Sequence, residues 1–390
     1  MFFSITRKTK DNFSQSYRMG SFDIYTDAGW HTASVNDQQV LYKGYADIGT
    51  METMLPTIVN QQEPELRGNF CAIVFDPSTN TLQINTDRYR SFPIYITDNE
   101  EITNLVPQAR TAWTDSLITI DQHLRVSEEK FNLIGDINLD PISLSDALDQ
   151  IDSILSERVQ GFLQHNTLPI RTFLSGGVDS LLVYSYLQRF TNNYEIIKCQ
   201  HFDYDRFWLM NSGTIKERFW GYSQIHHWTD PCILTSGAPG DEYMLRSPTT
   251  ADMLLKFNNV YVVNLLTLPE WQGCLHQKYF QKPANYKIFK EQQIDSGWDR
   301  GMLLWNMCNT VANDWQHWHL GNTLTWTPLR DLEIFKIILR LPLDIQLTQI
   351  MNSDISKALI ERNGSGLACL ISNQKNAGNE LSNLTDFLLN

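Results

Sequence analysis

The sequence predicts a protein of mixed α/β and α+β class, built from two successive domains of about residues 1–135 and 140–390. Three observations lead to this prediction. The length of 390 residues is more than one hydrophobic core usually serves. Short strands and polar turns dominate the first domain, whereas strands alternate with amphipathic helices in the second. Such alternation is typical of βαβ units and therefore of a parallel sheet.

The first domain contains a clear hairpin pattern in NFCAIVFDPSTNTLQINTD, residues 69–87. The apolar run CAIVF is followed by a polar turn, and apolar and polar residues then alternate about Leu82 and Ile84, as in a strand. Cys71 lies inside the apolar run, where we expect it to be a core residue. A further strand is predicted in FPIYIT, residues 92–97.

The second domain opens with a predicted helix in SDALDQIDSILSERVQGFL, residues 145–163, for which Ser145 is the expected N-cap. Its apolar residues recur at helical spacing and share one face: Leu148, Ile151, Leu155 and Phe162. A second helix, which follows residue 177, is expected to bury Val183, Tyr186, Leu187 and Phe190.

Three short runs around these helices are predicted to be buried strands: LPIRTFL at 168–174, YEIIKCQHF at 194–202 and PCILTSG at 231–237. From about residue 298 the pattern is helical and rich in tryptophan. The second domain should therefore combine a parallel sheet with a helical C-terminal part.

Composition and charge narrow the classes of partner. The net charge is −13 and the pI is about 5.1, which argues against nucleic acid or anionic membranes, because both are bound mainly through Lys and Arg. The six cysteines include no C-x-x-C pair, so neither a disulfide framework nor a zinc site is expected. The start has no long apolar stretch, and no apolar run reaches about 20 residues; a soluble, cytoplasmic protein is predicted.

The most informative stretch is FLSGGVDS, which ends at Ser180 and joins a predicted strand to a predicted helix. Backbone N–H groups at such a helix start form an anion site, and Gly176 and Gly177 let a phosphate approach closely. The hydroxyls of Ser175 and Ser180 are further donors, whereas Asp179 would repel phosphate unless Mg²⁺ lay between them. The alternative is a tight strand–helix turn with polar caps, but the combined motif and context favour phosphate binding.

SGGVDS resembles the pyrophosphate-binding loop of the N-type ATP pyrophosphatases, and its flanks are similar to the asparagine synthetase branch of that family, which includes β-lactam synthetase. Three later stretches are also similar to that branch: LTSGAPGDEYM at 234–244, TPLRDLEIFKIILRLP at 327–342 and SNQKNAG at 372–378. Residues 65–97 resemble the class II glutamine amidotransferase domain that precedes the synthetase.

The resemblance implies a fold for each domain. The first, over 1–135, would be an αββα domain of the Ntn-hydrolase type. The second, over 140–390, would be a parallel-sheet ATP-pyrophosphatase domain (adenine nucleotide α-hydrolase-like) with a helical C-terminal part.

The resemblance also implies an activity. Members of this family adenylate a carboxylate with MgATP, release pyrophosphate and let an amine attack the acyl-adenylate. By the matching motifs, the residues that bind ATP would be Leu174, Ser175, Gly176, Gly177, Asp179, Ser180 and Gly237. Asp179 and Asp241 would bind Mg²⁺, and Lys375 would act with Asp241 in catalysis by stabilising charge on the leaving pyrophosphate. The plain alternatives are a solvated helix start at Asp241 and an ordinary tail lysine at Lys375.

Several positions depart from the family pattern. The chain begins Met1-Phe2 and has no cysteine before Cys71, and the stretch YKGYADIG keeps only Gly44 of the glutamine-binding Asn-Gly-Glu pattern. We therefore expect no glutamine hydrolysis and a first domain retained as a scaffold. Ala238 and Leu324 stand where the family usually has proton-accepting residues. Because a general base is worth roughly 10²–10⁴-fold in rate, adenylation is better supported than amide formation.

The sequence thus predicts a glutamine-independent, AMP-forming C–N ligase with ATP and Mg²⁺ as cofactors. Its partners would be a small-molecule carboxylate and an amine, with a peptide as one possibility, and the amine could be intramolecular. Homodimerisation is left open. Two alternatives remain: adenylation of a non-carboxylate acceptor such as an amide or carbonyl, and a catalytically impaired nucleotide-binding protein, which Ala238 and Leu324 would favour.

Overall fold

The structure, a computed structural model, describes a defined part of the chain: residues 3–6, 14–47, 49–60, 67–87, 94–96, 102–103, 110–111, 116–130, 140–174, 177–197, 230–235, 237, 240–244, 323–342, 345–346, 349 and 352–364. Strands in the first half are β1 Phe3–Thr6, β2 Gln15–Met19, β3 Phe22–Thr26, β4 His31–Val35, β5 Gln38–Ala46, β6 Gly68–Asp76, β7 Thr81–Thr86, β8 Tyr95–Ile96, β9 Ile102–Thr103, β10 Arg110–Thr111, β11 Ser116–Ile120 and β12 Val126–Lys130. The later strands are β13 Ile170–Phe173, β14 Tyr194–Ile197, β15 Cys232–Thr235 and β16 Thr323–Trp326. Helices are α1 Met51–Asn60, α2 Leu144–His165, α3 Val178–Phe190, α4 Gly240–Tyr243, α5 Leu332–Leu339 and α6 Asp354–Arg362.

Strands β1–β12 form two antiparallel sheets, here called the N-terminal sheets. Their strand orders are β10-β8-β9-β1-β3-β2 and β12-β11-β7-β6-β5-β4. Both contribute to one apolar core, in which Phe3 and Ile24 of the first sheet cluster with Ile73 and Ile84 of the second. Helix α1 covers the other face of the second sheet through a separate apolar cluster. Helix α1 and the N-terminal sheets therefore form one helix layer and two sheet layers.

The predicted hairpin is confirmed as β6 and β7, which pair antiparallel from Cys71↔Thr86 to Asp76↔Thr81. Cys71 is fully buried in the core between the N-terminal sheets, as predicted. The strand predicted at 92–97 is confirmed for Tyr95–Ile96, which form β8.

Helix α1 was not predicted, although the spacing of Met51, Met54, Leu55 and Ile58 is helical and all four are buried. The helix contains Pro56, a residue that lacks the N–H needed for a helical hydrogen bond and usually ends a helix. Burial of the apolar face against β4 and β5 compensates for that missing bond.

The predicted parallel sheet is confirmed, with the strand order β14-β13-β15-β16 and every described pairing parallel. The prediction of a helical pattern from about residue 298 is wrong for four residues, which form strand β16. Thr323–Trp326 are rich in β-branched and aromatic residues and pair in register with Cys232–Thr235 of β15, so tertiary pairing overrides the helical pattern around them.

Helix α2 buries the predicted face, including Ile151, Leu155 and Phe162, in the core that it shares with α3, α5 and α6. Its N-cap is Ser143 and not Ser145, because the Ser143 hydroxyl accepts a hydrogen bond from the backbone N–H of Asp146 at 3.1 Å. The helix thus begins two residues earlier than predicted.

Replacing Ser143 by Ala should therefore lower the free energy of unfolding by about 1 kcal/mol, since an orphan N–H of the first turn loses its acceptor. Ser145→Ala is the matched control, because Ser145 is an exposed residue within the helix and should change the free energy by less than about 0.5 kcal/mol. Urea unfolding followed by circular dichroism measures both. Equal effects of the two variants would contradict the observed cap.

The N-terminal sheets contact the parallel sheet directly. The Tyr45 hydroxyl and the Asn69 amide both donate hydrogen bonds to the backbone carbonyl of Thr325, at 2.7 and 2.8 Å. Beside them the Phe162 ring stacks on Trp326 at 3.9 Å between centroids. None of the described helices is long and apolar enough to cross a membrane.

Candidate functional site

The loop that follows β13, here called the β13–α3 loop, spans residues 174–177 and leads into α3. Leu174 is fully buried in the core, so its side chain anchors the end of the strand. Gly177 is the N-cap of α3 in extended conformation, with φ −77° and ψ 153°. The Ser180 hydroxyl donates to the Gly177 carbonyl at 2.8 Å, so in this structure it stabilises the turn.

The loop that follows β15, here called the β15–α4 loop, spans residues 236–239 and leads into the short helix α4. The Gly240 N–H donates to the Gly237 carbonyl at 2.6 Å, which closes a tight turn. The next turn begins at once, because the Met244 N–H donates to the Gly240 carbonyl at 2.8 Å.

Gly237 of the β15–α4 loop and Gly240 of α4 are packed against the first turn of α3. A Cβ atom placed on Gly237 would lie 2.2 Å from the Ser180 backbone nitrogen and 2.4 Å from the Asp179 carbonyl carbon. A Cβ on Gly240 would lie 2.6 Å from Asp179 Cγ and 2.9 Å from Leu329 Cδ1. Only glycine allows this approach at either position. The structure therefore brings together Asp179, Ser180 and Gly237, which the sequence predicted as site residues, and adds Gly240.

This meeting point has a special place in the sheet. Strands β13 and β15 are neighbours, whereas β14 lies on the far side of β13 and β16 on the far side of β15. The chain thus leaves β13 and β15 in opposite directions, and the loops at their carboxyl ends flank the crevice between them. In open parallel sheets, ligands bind in such crevices.

Asp179 and Asp241 are the predicted magnesium ligands. Asp179 is partly exposed, with its Oδ1 buried, and Asp241 directly follows Gly240, the residue packed on the Asp179 side chain. Among the side chains that the structure describes, His, Cys, Asp and Glu form no group of three or more suited to a metal. A site with one or two carboxylates fits Mg²⁺ bound together with phosphates, because that ion keeps several waters and substrate oxygens as ligands.

The remaining predicted positions are either outside the described residues or in the parallel sheet. Ser175, Gly176, Ala238 and Lys375 are outside the described residues. Leu324 lies in β16, partly buried, and packs against apolar residues of the parallel-sheet core and of the N-terminal sheets. An apolar packing role accounts for leucine at this position.

A buried ion-pair cluster, missed by sequence reasoning, lies beside the β15–α4 loop. Asp331 is the N-cap of α5, and its Oδ1 accepts hydrogen bonds from the N–H groups of Glu333 and Ile334 at 2.8 and 3.3 Å. Its Oδ2 accepts from Arg67 at 2.5 Å and from Arg158 at 2.9 Å. The carboxylate of Asp331 is thus tied to the N-terminal sheets, α2 and α5 at once.

Asp47 extends this cluster. Its backbone N–H donates to the Arg67 carbonyl at 3.2 Å. Its Oδ1 is buried and has no hydrogen-bond partner among the described residues. Burial raises the pKa of Asp47 to about 7; Arg67 and Arg158 act to lower it, whereas Asp87 and Asp331 act to raise it. No local pattern around DIG in the sequence signals this environment.

A second buried pair lies within the N-terminal sheets, next to Gly44. Lys43 is buried, and its ammonium group donates to Asp27 Oδ2 at 3.1 Å and to the Ala28 carbonyl. Burial lowers the pKa of Lys43, although the Asp27 carboxylate acts to raise it. The Trp30 indole donates to the other Asp27 oxygen at 2.9 Å, so the carboxylate is bound on both sides.

No protein-family model matches this chain, and no curated protein is significantly similar to it in sequence.

Proposed function

We propose that the chain binds MgATP where the β13–α3 and β15–α4 loops meet, adenylates a carboxylate and joins the acyl group to an amine. One observation carries the proposal: Gly237 and Gly240 pack directly on Asp179 and Ser180 at the carboxyl ends of neighbouring parallel strands. Backbone N–H groups at the start of α3 would bind phosphate oxygens, because the positive end of the helix dipole lies there.

The proposal assigns roles to particular residues. ATP would be held by the set Leu174, Ser175, Gly176, Gly177, Asp179, Ser180 and Gly237, with the β13–α3 loop and the start of α3 at its pyrophosphate end. Asp179 and Asp241 would hold Mg²⁺, which neutralises phosphate charge when bound. Lys375 would lie near the leaving group. The close approach of Gly240 to Asp179 supports the pairing of Asp179 with Asp241.

In the first step a carboxylate oxygen attacks the α-phosphorus of ATP. The bond from this phosphorus to the oxygen that bridges to the β-phosphorus breaks, and pyrophosphate leaves with the bonding electrons. Backbone N–H groups of the β13–α3 loop would stabilise the charge that develops on the leaving oxygens.

In the second step an amine nitrogen attacks the acyl carbon, AMP leaves, and the nitrogen gives up a proton. The packing of Leu324 among apolar residues leaves that position without a proton acceptor. The proton would therefore pass to the substrate itself or to the departing AMP phosphate.

We also propose that the N-terminal sheets, with α1, belong to the αββα type of the amidotransferases and have no glutaminase activity. The layering of α1 on two antiparallel sheets supports this fold. The Lys43–Asp27 pair supports the loss of activity, because the residue before Gly44 is a buried, bound lysine in place of the asparagine of the glutamine-binding pattern. The division near residues 135–140 stays a prediction.

The decisive experiment is Mg²⁺-dependent ATP–pyrophosphate exchange with a panel of carboxylates. We expect exchange that depends on one carboxylate and falls at least about 100-fold in Asp179→Asn, because a cation ligand is lost while the shape of the side chain is kept. Asp149→Asn is the matched control. Its side chain is 65% exposed on α2 and forms a surface ion pair with Arg362, so exchange should be unchanged.

Each failure has its own meaning. If MgATP does not bind by calorimetry, the proposed nucleotide site is wrong. If exchange appears only with an amide or carbonyl compound, the acceptor is not a carboxylate. Equal exchange in Asp179→Asn and in the wild-type chain would remove Asp179 from the site.

A second candidate is a nucleotide-binding protein without ligase activity, and the apolar packing of Leu324 favours it. MgATP binding that is lost in Asp179→Asn, together with no exchange for any carboxylate, amide or carbonyl in the panel, would be the result expected for this candidate.

A further inference from the structure

The N-cap of α5 joins three parts of the molecule through one carboxylate. Asp331 is 1% exposed, and its two oxygens accept four hydrogen bonds, two from the start of α5 and two from Arg67 and Arg158. The Arg67 side chain is 9% exposed and comes from the chain just before β6. Charge-assisted bonds of this kind are short and directional, so they hold the first turn of α5 in one place.

The residues just before Asp331 contact the candidate site. Leu329 Cδ1 lies against Gly240, at 2.9 Å from the position a Cβ would occupy there, and Arg330 donates to the Tyr243 hydroxyl at 3.3 Å. Gly240 in turn packs on Asp179. A continuous path of direct contacts therefore runs from Arg67 through Asp331 and Leu329 to the first turn of α3.

From these contacts we infer that Arg67 is a positioning residue for the nucleotide site: through Asp331 it fixes Leu329 and the start of α4, and thereby the position of Gly240 against Asp179. The inference rests on the proposed function for its ligand. It gives Arg67, which directly precedes β6 of the N-terminal sheets, a part in nucleotide binding.

The physical reason is the close packing of the path. Protein interiors lack free volume, so loosening the N-cap of α5 displaces Leu329 and Arg330, and neither can move without shifting Gly240 or Tyr243. Removing one partner of a buried ion pair also leaves the other charge uncompensated, which drives local rearrangement.

The test uses the full chain and the Arg67→Gln variant, with MgATP binding measured by calorimetry. We expect affinity to fall about tenfold or more, within the range of coupling over a packed path. Arg67→Lys, which keeps the charge, should recover part of the affinity. Arg18→Gln is the matched control: it is the same change on β2, at a side chain 75% exposed, and affinity should stay at the wild-type value.

A second control distinguishes a positioning role of Arg67 from a general loss of stability. Ile118→Val removes a methylene from the core of the N-terminal sheets, where Ile118 is fully buried and lies off the path from Arg67. It should lower the urea midpoint without changing the MgATP affinity. If Arg67→Gln does not fold, Arg158→Gln tests the same carboxylate and should weaken MgATP binding about threefold or more.

Hydrogen exchange of the unliganded chain makes the two proposals distinguishable. In Arg67→Gln, amides in 177–182 and 240–244 should exchange about tenfold faster, while those in 116–130 stay unchanged. Faster exchange in a chain that does not bind MgATP would uphold the positioning role and refute the nucleotide site. Folded Arg67→Gln with wild-type affinity and wild-type exchange would overturn the inference.

Discussion

Gly237→Ala should nearly abolish MgATP binding, with about a 100-fold loss of affinity, because overpacking costs about 1–3 kcal/mol and each 1.4 kcal/mol is tenfold in affinity. The added Cβ would stand 2.2 Å from the Ser180 nitrogen and 2.4 Å from the Asp179 carbonyl carbon. Both neighbours are backbone atoms in the first turn of a helix, so neither can rotate away. The β15–α4 loop must therefore separate from α3, and the free energy of unfolding should fall by about 1–3 kcal/mol.

Gly161→Ala is the matched control for this prediction. A Cβ on Gly161 would meet only the Asp47 carbonyl oxygen, at 3.9 Å, which is ordinary contact. Because Gly161 lies within α2, alanine should stabilise the helix by about 0.5–1 kcal/mol. Calorimetric titration with MgATP and urea unfolding measure both variants. A folded Gly237→Ala chain with wild-type affinity would show that the contact of Gly237 with α3 is unimportant for binding.

The second large effect concerns Asp47 and pH. The pKa of Asp47 is raised from 3.8 to about 7 in the folded chain, with burial as the main cause. Below pH 3.8 the carboxyl is protonated in both the folded and the unfolded chain, and it contributes nothing. Between pH 3.8 and 7 the unfolded chain ionises while the folded chain keeps the proton, so this group lowers stability progressively. Above pH 7 the loss is complete.

Asp47→Asn removes the titrating group and keeps its shape, so the part of the pH dependence that belongs to Asp47 should disappear. Relative to the wild-type chain, the variant should gain about 1–4 kcal/mol in free energy of unfolding between pH 4 and pH 8. Urea midpoints at a series of pH values measure this gain, and the difference at pH 4 serves as the internal reference. Parallel curves for the two proteins would show that Asp47 does not titrate in this range.

Local patterns predicted those parts of the fold that a short segment determines by itself. The β6–β7 hairpin and the apolar face of α2 could be predicted because each has a regular spacing of apolar residues and a polar boundary. Strand β16 could not, because four residues inside a helical pattern become a strand only through pairing with β15. Helix α1 was not predicted because Pro56 lies within it, and proline usually ends a helix. The N-cap of α2 was misplaced because Ser143 and Ser145 both suit the preference for serine at an N-cap.

The candidate site likewise has residues that the sequence predicts and contacts that only the folded chain shows. Asp179, Ser180 and Gly237 were predicted from their motifs, and the structure brings them together. The contact between Arg67 and Asp331 spans 264 residues and follows no pattern of spacing, so only the folded chain reveals it. The pKa of Asp47 likewise depends on charges from several elements.

The two hydrogen bonds to the Thr325 carbonyl have a consequence beyond positioning. Among the described strands, β16 is one of the two edge strands of the parallel sheet, and unpaired carbonyls on an edge invite pairing with another chain. Tyr45 and Asn69 of the N-terminal sheets donate hydrogen bonds to the Thr325 carbonyl, so this acceptor is less available to a strand of another chain. Removing the N-terminal sheets would leave this carbonyl on the edge strand without those two donors.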